Sequence, residues 1–241
     1  MIRFENVSMQ YDDDPEIFSD INFNLPQGSF TFLTGPSGAG KTSLLRLIFL
    51  AAQPSRGKVF LFDEDTSTLA RPHIPLLRRK IGIVFQEFRL LEHLSIYENV
   101  ALPLRVMGEK QNDYRDNIVE LLQWVGLGEK VNAAPSSLSG GEQQRAAIAR
   151  AVVARPKLII ADEPTGNVDP EMGTRLMRLF IELNKLGTSI IIATHDQHLW
   201  RQFDFPRLHL SNGQAVYSAH IATNGTPNGT NNGGSQEMPQ E

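Results

Sequence analysis

The sequence predicts an α/β fold with a mixed, mainly parallel core sheet, an antiparallel N-terminal β-subdomain and an inserted helical subdomain. Apolar and polar residues alternate near the start of the chain, and short, β-branched apolar runs recur later. A long stretch without strand signals lies between them. Alternation is typical of a sheet with one buried face, whereas continuous apolar runs are typical of parallel strands buried on both faces.

Composition narrows the class of protein. The chain has 241 residues, enough for one large or two modest domains. A net charge of −4 gives no general attraction to nucleic acid, so no nucleic-acid partner is expected, and zero cysteines exclude disulfides and cysteine-ligated metals. We expect no secretory signal and no membrane span, because no apolar run approaches the ~18–20 residues that cross a bilayer. Work at a membrane would therefore need a second protein.

The first 34 residues predict antiparallel strands with one buried face, since apolar residues alternate with polar ones between Ile2 and Leu33. Tyr11 stands next to a turn-forming run of acidic residues and proline. It is either a surface aromatic residue or a platform on which an adenine ring stacks.

The next stretch fits the phosphate-binding pattern G-x-x-x-x-G-K-[S/T] without a mismatch. A predicted strand over 29–34 precedes it, and a predicted apolar helix over 43–52, beginning at Ser43, follows with its positive end toward the same phosphates. Backbone N–H groups would bind phosphate, Lys41 would reach the β- and γ-phosphates, and the Thr42 hydroxyl would bind Mg²⁺. The sequence thus predicts a nucleotide site formed by Gly35, Pro36, Ser37, Gly38, Ala39, Gly40, Lys41, Thr42 and Ser43.

The middle of the chain predicts a change from strands to helices. A strand over 57–62, a solvated basic stretch over 71–80 and a strand over 81–85 come first. From 87 to about 154 the strand signal disappears, and helical spacing appears over 95–107 and 113–125. We therefore place the core at 1–86 and 155–218, the helical subdomain at about 87–154, and a disordered tail rich in Asn, Gly and Pro at 219–241.

Three apolar runs stop at polar residues. The run 81–85 stops at Gln86, 158–161 at Asp162 and Glu163, and 189–194 at His195. Ligands of open α/β sheets bind beyond the carboxyl ends of the strands, so we expect these residues to surround the phosphate loop. In an extended chain the adjacent carboxylates diverge: Asp162 would hold Mg²⁺ and Glu163 would orient the water that attacks the γ-phosphate. His195 would contact the γ-phosphate or that water.

A second anion site is predicted at the start of a helix that runs to Ala154. Ser139 and Glu142 form the capping box S-x-x-E, with Gly140 and Gly141 between them. Glycine is a poor helix former, by up to ~1 kcal/mol relative to Ala, so its presence suggests close approach of a ligand to the backbone. One phosphate-binding motif contains a lysine and the other does not, which suggests that two chains share each nucleotide. This predicts a head-to-tail homodimer with ATP at the interface.

These motifs resemble those of the ATP-binding subunits of ABC transporters over about residues 1–218. The phosphate loop matches their Walker A motif, 158–163 their Walker B motif and 138–143 their signature. The resemblance implies a P-loop NTPase fold of the ABC type, adenine stacking on Tyr11, a nucleotide contact at Asp169, and a part for Gln86 in both catalysis and Mg²⁺ binding. It also implies ATP-driven dimer closure and docking of a membrane partner on Phe88–Leu91.

The runs 85–91, 98–104, 162–170 and 180–189 are most similar to the cell-division subgroup of this family. That resemblance implies an FtsX-like integral-membrane partner, a peripheral position on the cytoplasmic face of the inner membrane at the division site, and control of cell-wall hydrolases. An ATPase of a lipoprotein-release or macrolide-type exporter is the alternative in the same class. An ATP-binding scaffold that recruits division proteins without turnover is the alternative in another. Val168 departs from the leucine that is commoner in the family, and the tail after Ser218 lies outside its pattern.

Overall fold

Ten strands and seven α-helices follow one another in the part of the chain that the computed structural model describes, residues 1–12 and 15–218. The tail predicted over 219–241 lies outside the described residues. The strands are β1 (Ile2–Met9), β2 (Phe18–Leu25), β3 (Phe30–Thr34), β4 (Arg56–Leu61), β5 (Glu64–Asp65), β6 (Ile81–Val84), β7 (Leu158–Asp162), β8 (Ser189–Ala193), β9 (Arg207–Ser211) and β10 (Gln214–Ser218). The helices are α1 (Lys41–Ile48), α2 (Ile74–Arg78), α3 (Ile96–Met107), α4 (Gln111–Trp124), α5 (Gly140–Val152), α6 (Pro170–Lys185) and α7 (Gln197–Gln202).

An antiparallel sheet in the order β2-β1-β4-β5 forms the predicted N-terminal β-subdomain. In β2 every second side chain from Ile21 to Leu25 is buried while those between are exposed. The buried face includes Phe4 and Phe23, whose rings stack with their centroids 4.4 Å apart. This sheet therefore has the single buried face that the alternating sequence predicts.

The core sheet has the order β10-β9-β3-β8-β7-β6. Its strands from β9 to β6 pair in parallel, and β10 is antiparallel at the edge. All five residues of β8 are buried, as the continuous apolar run predicts. The prediction of an α/β fold with a mixed, mainly parallel sheet is confirmed.

The assignment of the third strand was wrong. The alternating pattern grouped Phe30–Thr34 with the antiparallel strands, but β3 pairs in parallel with β8 and β9 in the core sheet. Every residue of β3 is buried, including Thr31 and Thr34. Because threonine is polar yet β-branched and easily buried, its alternation with apolar residues imitated a half-exposed strand.

Helix α1 is shorter than the predicted 43–52. It begins at Lys41 and ends at Ile48, because Leu50 has a left-handed backbone with φ 64°. The guanidinium of Arg78 donates hydrogen bonds to the carbonyls of Phe49 and Leu50, at 3.3 and 2.7 Å. Arg78, predicted to lie on a solvated basic stretch, thus uses its head group to hold the end of the phosphate-loop helix.

Helices α3, α4 and α5 form the inserted helical layer, which has its own apolar cluster around Ile118 and Leu122. Helix α5 serves two clusters: Ala146 packs into the helical layer, whereas Ile148 packs against the core sheet. The boundaries at 87 and 154 stay a prediction, and α5 forms the seam between the two layers. Within residues 1–12 and 15–218, no helix combines the length and apolar character that crossing a bilayer requires.

Candidate active site

The phosphate loop follows β3 and turns sharply at glycines. Gly35 has φ 147°, and a Cβ there would lie 2.1 Å from the Leu210 carbonyl oxygen. Gly40 has φ 94°, and a Cβ there would lie 2.5 Å from Cγ2 of Ile17. The Leu210 carbonyl at Gly35, the Ile17 side chain at Gly40 and the positive φ of both glycines therefore disfavour a larger residue at either end of the loop, which explains why the pattern requires glycine there.

Lys41 begins α1 and folds back over its own loop. Its Nζ donates hydrogen bonds to the carbonyl oxygens of Gly35 and Pro36, both at 2.9 Å. The ammonium group is thereby held above the loop that supplies the N–H groups. A cation in this position complements an anion bound to those groups.

Thr42 and Asp162 bring two oxygen atoms together from β7 and α1. The Thr42 hydroxyl donates a hydrogen bond to Oδ2 of Asp162 at 3.0 Å. Burial raises the pKa of the Asp162 carboxyl, and the nearby charge of Glu163 raises it further, while Thr42 and Lys41 act in the opposite direction. A partly buried carboxylate beside a hydroxyl is a pair of oxygen ligands suited to a small, hard cation.

Glu163 does not continue β7, so the expectation of an extended chain at this residue was wrong. Its φ is 50°, a left-handed conformation that is unusual for glutamate. The carboxylate accepts hydrogen bonds from the Thr194 hydroxyl at 3.0 Å, from the backbone N–H of His195 at 2.9 Å, and meets Nδ1 of the same histidine at 2.5 Å. The two carboxylates do have different partners, but a turned backbone and contacts from β8, not an extended chain, direct Glu163.

One cavity of about 510 Å³ joins these features. It confirms that the predicted strand ends meet at one edge of the sheet. Ile17, just before β2, also lines the cavity. The sequence analysis missed it, because no local pattern connects a residue beside the β-subdomain with the phosphate loop. The predicted residues among its lining are Ser37, Gly38, Gly40, Lys41, Thr42, Ser43, Gln86, Asp162, Glu163 and His195.

Tyr11 lies beside the start of α1 and outside the lining of the cavity. Its hydroxyl donates to the Ser43 hydroxyl at 3.4 Å and accepts from Nη1 of Arg46 at 3.5 Å. Its ring is partly buried against the apolar cluster of the core. The structure thus places Tyr11 near the phosphate loop, and its contact with adenine stays a prediction.

The predicted second anion site forms the N-terminus of α5. Both hydrogen bonds of the capping box between Ser139 and Glu142 are present. Nζ of Lys130 contacts Glu142 at 2.7 Å, and this contact together with the Ser139 N–H lowers the pKa of Glu142 to about 2. A Cβ at Gly140 would meet no atom within 4 Å, whereas one at Gly141 would lie 2.9 Å from the Asn167 carbonyl oxygen.

Besides Tyr11, several predicted site residues do not line the cavity, among them Gly35, Pro36 and Ala39 of the phosphate loop. Ser139, Gly140 and Gly141 are not among its lining residues. Asp169 is also outside the lining and caps α6, where its Oδ1 accepts a hydrogen bond from the Met172 N–H at 2.9 Å. Among the described residues of one chain, the candidate phosphate site and the predicted second anion site therefore lie apart.

The chain is similar to known ATP-binding subunits over most of its length. A family model described as "ABC transporter" matches residues 18–166. The chain is 43% identical over 213 residues to the cell division ATP-binding protein FtsE of Escherichia coli, covering 88% of this chain and 96% of that protein. It is 44% identical over 218 residues to FtsE of Haemophilus influenzae, covering 90% of this chain and 100% of that one.

Solved structures with a similar fold are also ATP-binding cassettes. The dimeric ATP-binding cassette MJ0796, in a post-hydrolysis state bound to ADP and Pi, superposes with a TM-score of 0.85 at 33% identity. That match covers 91% of this chain and 98% of the cassette. A second dimeric structure of MJ0796 matches with a TM-score of 0.84 at 34% identity, covering 89% of this chain and 96% of that one.

Proposed function

The chain belongs to the ABC transporter family of ATP-binding proteins, and we propose that it hydrolyses Mg²⁺-ATP in a head-to-tail dimer to drive a membrane partner in cell division. That it is an ATPase follows from its family and from the ADP and Pi bound by the similar cassette. The observation that supports the site is the cavity in which Lys41, Asp162 and Glu163 meet. These residue types supply the charge compensation and the base that phosphoryl transfer to water requires.

The phosphate loop would bind the triphosphate. Its backbone N–H groups and the N-terminus of α1 attract anionic oxygen, and Lys41 is held directly above them. Ser37, Gly38 and Gly40 line the cavity, and the absence of a Cβ at the two glycines lets phosphate approach their backbone closely. Gly35, Pro36 and Ala39 would shape the loop from behind, and Tyr11 would stack on the adenine.

The residues present fit a magnesium ion. The Thr42 hydroxyl and the Asp162 carboxylate lie 3.0 Å apart, and Gln86 lines the same cavity. Mg²⁺ prefers oxygen ligands and keeps several waters, so a site with few protein oxygens next to phosphates suits it. When bound, the ion would neutralise charge on the β- and γ-phosphates. Thr42 and Asp162 would hold it, with the Gln86 amide oxygen as a further ligand.

Glu163 is the proposed general base. Thr194 and His195 fix its carboxylate by three contacts, so its direction does not depend on the substrate. Each carboxylate oxygen has more than one acceptor site, so Glu163 still has capacity to orient a water and take its proton. His195 would contact the γ-phosphate or that water, which joins the two strand ends in one catalytic unit.

The second half of each site would come from another chain. The signature residues Ser139, Gly140 and Gly141 lie apart from the cavity of their own chain, while similar cassettes form dimers. Placed against the γ-phosphate of a second copy, their N-terminal helix position and open backbone would add anion binding without a lysine. Asp169, at the start of α6, would lie near the same interface. ATP would thus hold two chains together until it is hydrolysed.

The membrane role rests on the relatives. Curated proteins at 37–44% identity are named as cell division ATP-binding proteins. We propose that Phe88–Leu91 docks an FtsX-like membrane subunit, which would place this chain on the cytoplasmic face of the inner membrane at the division site. Leu91 is 37% exposed, so an apolar side chain of this segment is available to a partner.

Substitution of the base tests the catalytic proposal. Glu163→Gln keeps the size of the side chain and removes its ability to accept a proton. ATP binding should persist, hydrolysis should fall at least 100-fold, and ATP should trap a dimer in size-exclusion chromatography. Glu120→Gln, at an exposed position of α4, serves as the control and should hydrolyse ATP normally. Hydrolysis by Glu163→Gln at the control rate would refute the assignment.

Charged substitutions test the partner. Phe88→Asp and Leu91→Asp should abolish sedimentation with membranes that contain the FtsX-like subunit while leaving ATP binding intact. Leu186→Asp is a matched control, because Leu186 is 83% exposed at the end of α6. Recruitment that survives both substitutions would disprove docking on this segment. Co-purification with a lipoprotein-release permease instead would favour the export alternative over cell division.

A further inference from the structure

The backbone of the proposed docking segment is held in an unusual conformation. Phe88 and Arg89 both have left-handed backbones, with φ of 55° and 51°. This region is unfavourable for residues with a Cβ, and two consecutive examples persist only where surrounding contacts hold them. The contacts that hold this segment therefore decide where its side chains lie.

Arg150 of α5 supplies one of these contacts. Its Nη1 donates to the Arg89 carbonyl oxygen at 2.6 Å, and its Nη2 donates to that of Phe88 at 2.7 Å. The planar guanidinium thus binds two successive carbonyls with two parallel donors, a geometry that a lysine ammonium cannot reproduce. Burial lowers the pKa of Arg150.

No carboxylate among the described residues forms an ion pair with Arg150. A largely buried cation needs strong acceptors, and the two carbonyls of the segment provide them. Because these are the carbonyls of the left-handed residues, the interaction stabilises both partners. Arg150 and the segment depend on each other.

Asn99 of α3 holds the far end of the segment. It is fully buried, its Oδ1 accepts from the Leu91 N–H at 2.7 Å, and its Nδ2 donates to the Leu91 carbonyl at 3.0 Å. At the near end, the Arg89 guanidinium lies over the Phe85 ring at 4.4 Å, and Phe85 meets the ring of Phe49, the residue just after α1, edge-on at 5.9 Å. The segment therefore connects the end of the phosphate-loop helix with the helical layer, and Arg150 binds it between these two points.

Arg150 and the signature residues belong to the same helix. Ten residues separate Gly140 from Arg150 in α5, which is about 15 Å along a helix axis. A continuous helix transmits a displacement of one end to the other with little deformation. Any movement of the signature residues at a dimer interface would therefore reach the carbonyls of Phe88 and Arg89 through Arg150.

We propose that Arg150 is a positioning residue that ties the docking segment to the signature helix, so that the segment follows the helix when ATP closes the dimer. The inference rests on the proposed function, because ATP-driven closure of the dimer is the event that would move the helix. It adds a residue that lies outside the lining of the nucleotide cavity. Asn99 fixes the opposite end of the segment, at Leu91.

Amide hydrogen exchange of residues 86–91 tests the proposal in the full chain carrying Glu163→Gln. ATP should change the exchange rate of this segment at least fivefold in that parent. With Arg150→Lys added, the dimer should still form in size-exclusion chromatography, the ATP affinity should stay within twofold, and the change should fall below twofold. Arg155→Lys, at an exposed arginine just after α5, should behave as the parent.

Each outcome decides between positioning and a merely structural role. An unchanged ATP response in Arg150→Lys would overturn the proposal, as would a uniform rise of exchange over the whole chain. If the parent does not dimerise with ATP, the proposed function fails. The contact between Arg150 and the segment is then tested without nucleotide: Arg150→Lys should raise the amide exchange rate at least tenfold over 86–91 only. Should Arg150→Lys fail to fold, Arg150→Gln repeats the measurement with a neutral donor. Failure of both to fold would make Arg150 a core residue and overturn the proposal.

Discussion

The phosphate loop Gly35–Thr42 and the signature turn Leu138–Gln143 both lead into a helix N-terminus, yet they end differently. Helix α1 starts from Gly40 with φ 94°, and no side chain of the described residues caps it. Helix α5 starts from Ser139, whose hydroxyl accepts the Glu142 N–H while Glu142 accepts the Ser139 N–H. The first helix presents donors that its own chain leaves open, whereas the second has satisfied part of its donors internally.

The charged residues around the phosphate loop and the signature turn also differ in their availability to a ligand. The phosphate loop faces a cavity that also holds Asp162 and Glu163, and Lys41 lies over it. The signature turn has a lysine nearby as well, but Lys130 is paired with Glu142 at 2.7 Å. The phosphate loop can therefore bind an anion without help from a second chain, whereas the positive charge near the signature turn is already neutralised by Glu142. We infer that ATP binds first to the phosphate loop and that the signature turn contributes once a second chain brings it near.

Replacing the two lysines should separate the regions most strongly. Lys41→Ala removes a charge-assisted contact to phosphate, so the Kd for ATP should rise about 100-fold, equivalent to roughly 2.7 kcal/mol. Lys130→Ala should leave the Kd of the monomer within twofold, because its partner is Glu142. Titration calorimetry with ATP measures both. Equal losses in the two variants would mean that the signature turn already binds ATP in the monomer.

The two glycines of the signature turn give the next largest contrast. Gly140→Ala meets no atom of its own chain and should raise stability by up to ~1 kcal/mol, since Ala is the better helix former. It should nonetheless lower ATP hydrolysis at least tenfold, because its Cβ would obstruct a phosphate from the second chain. Gly141→Ala should instead destabilise the fold, since its Cβ would lie 2.9 Å from the Asn167 carbonyl. Thermal unfolding and hydrolysis, measured together, check this; full activity of Gly140→Ala would remove the argument for close approach.

Neutralising Asp162 should show that the phosphate site is organised for its ligands at the expense of stability. Burial is the main cause of its raised pKa, so the ionised carboxylate is disfavoured in the folded chain and costs stability above that pKa. Asp162→Asn should therefore raise Tm by about 2 °C without nucleotide while abolishing Mg²⁺-dependent hydrolysis. Differential scanning calorimetry at pH 7 measures the shift, with Asp116→Asn, at an exposed position of α4, as the control. A lower Tm would contradict the proposed balance.

The signature turn should show the opposite dependence on protonation, with the smallest effect. Lys130 and the Ser139 N–H hold the pKa of Glu142 at about 2, below its ordinary value of 4.5. A lowered pKa in the folded chain means that this stabilisation is present above pH 4.5 and is lost as pH falls toward 2. The urea midpoint should therefore decrease over this range, and less so in Glu142→Gln. If both proteins lose stability in parallel, the capping box does not contribute.

Much of the site could be predicted because its signals are local. The phosphate pattern, the polar residues after strands and the S-x-x-E box each occupy a few consecutive residues, and backbone physics links each to one conformation. The convergence of Gln86, Asp162 and His195 also followed, since the carboxyl ends of parallel strands share an edge. The inserted helical layer was evident because helical spacing replaced strand signals over a long stretch.

Other features depend on residues that are distant in the sequence. Ile17 reaches the cavity only because the β-subdomain packs beside the phosphate loop, and the left-handed turn of Glu163 is held by contacts from β8. Arg150 lies 61 residues from Arg89, whose carbonyl it binds. The sequence by itself predicted which residues would carry the chemistry and that strand ends and helix N-termini would present them. Only the tertiary structure decided how Glu163 is aimed, which sheet holds β3 and what fixes the proposed docking segment, because side-chain contacts between distant elements leave no periodic signal in the chain.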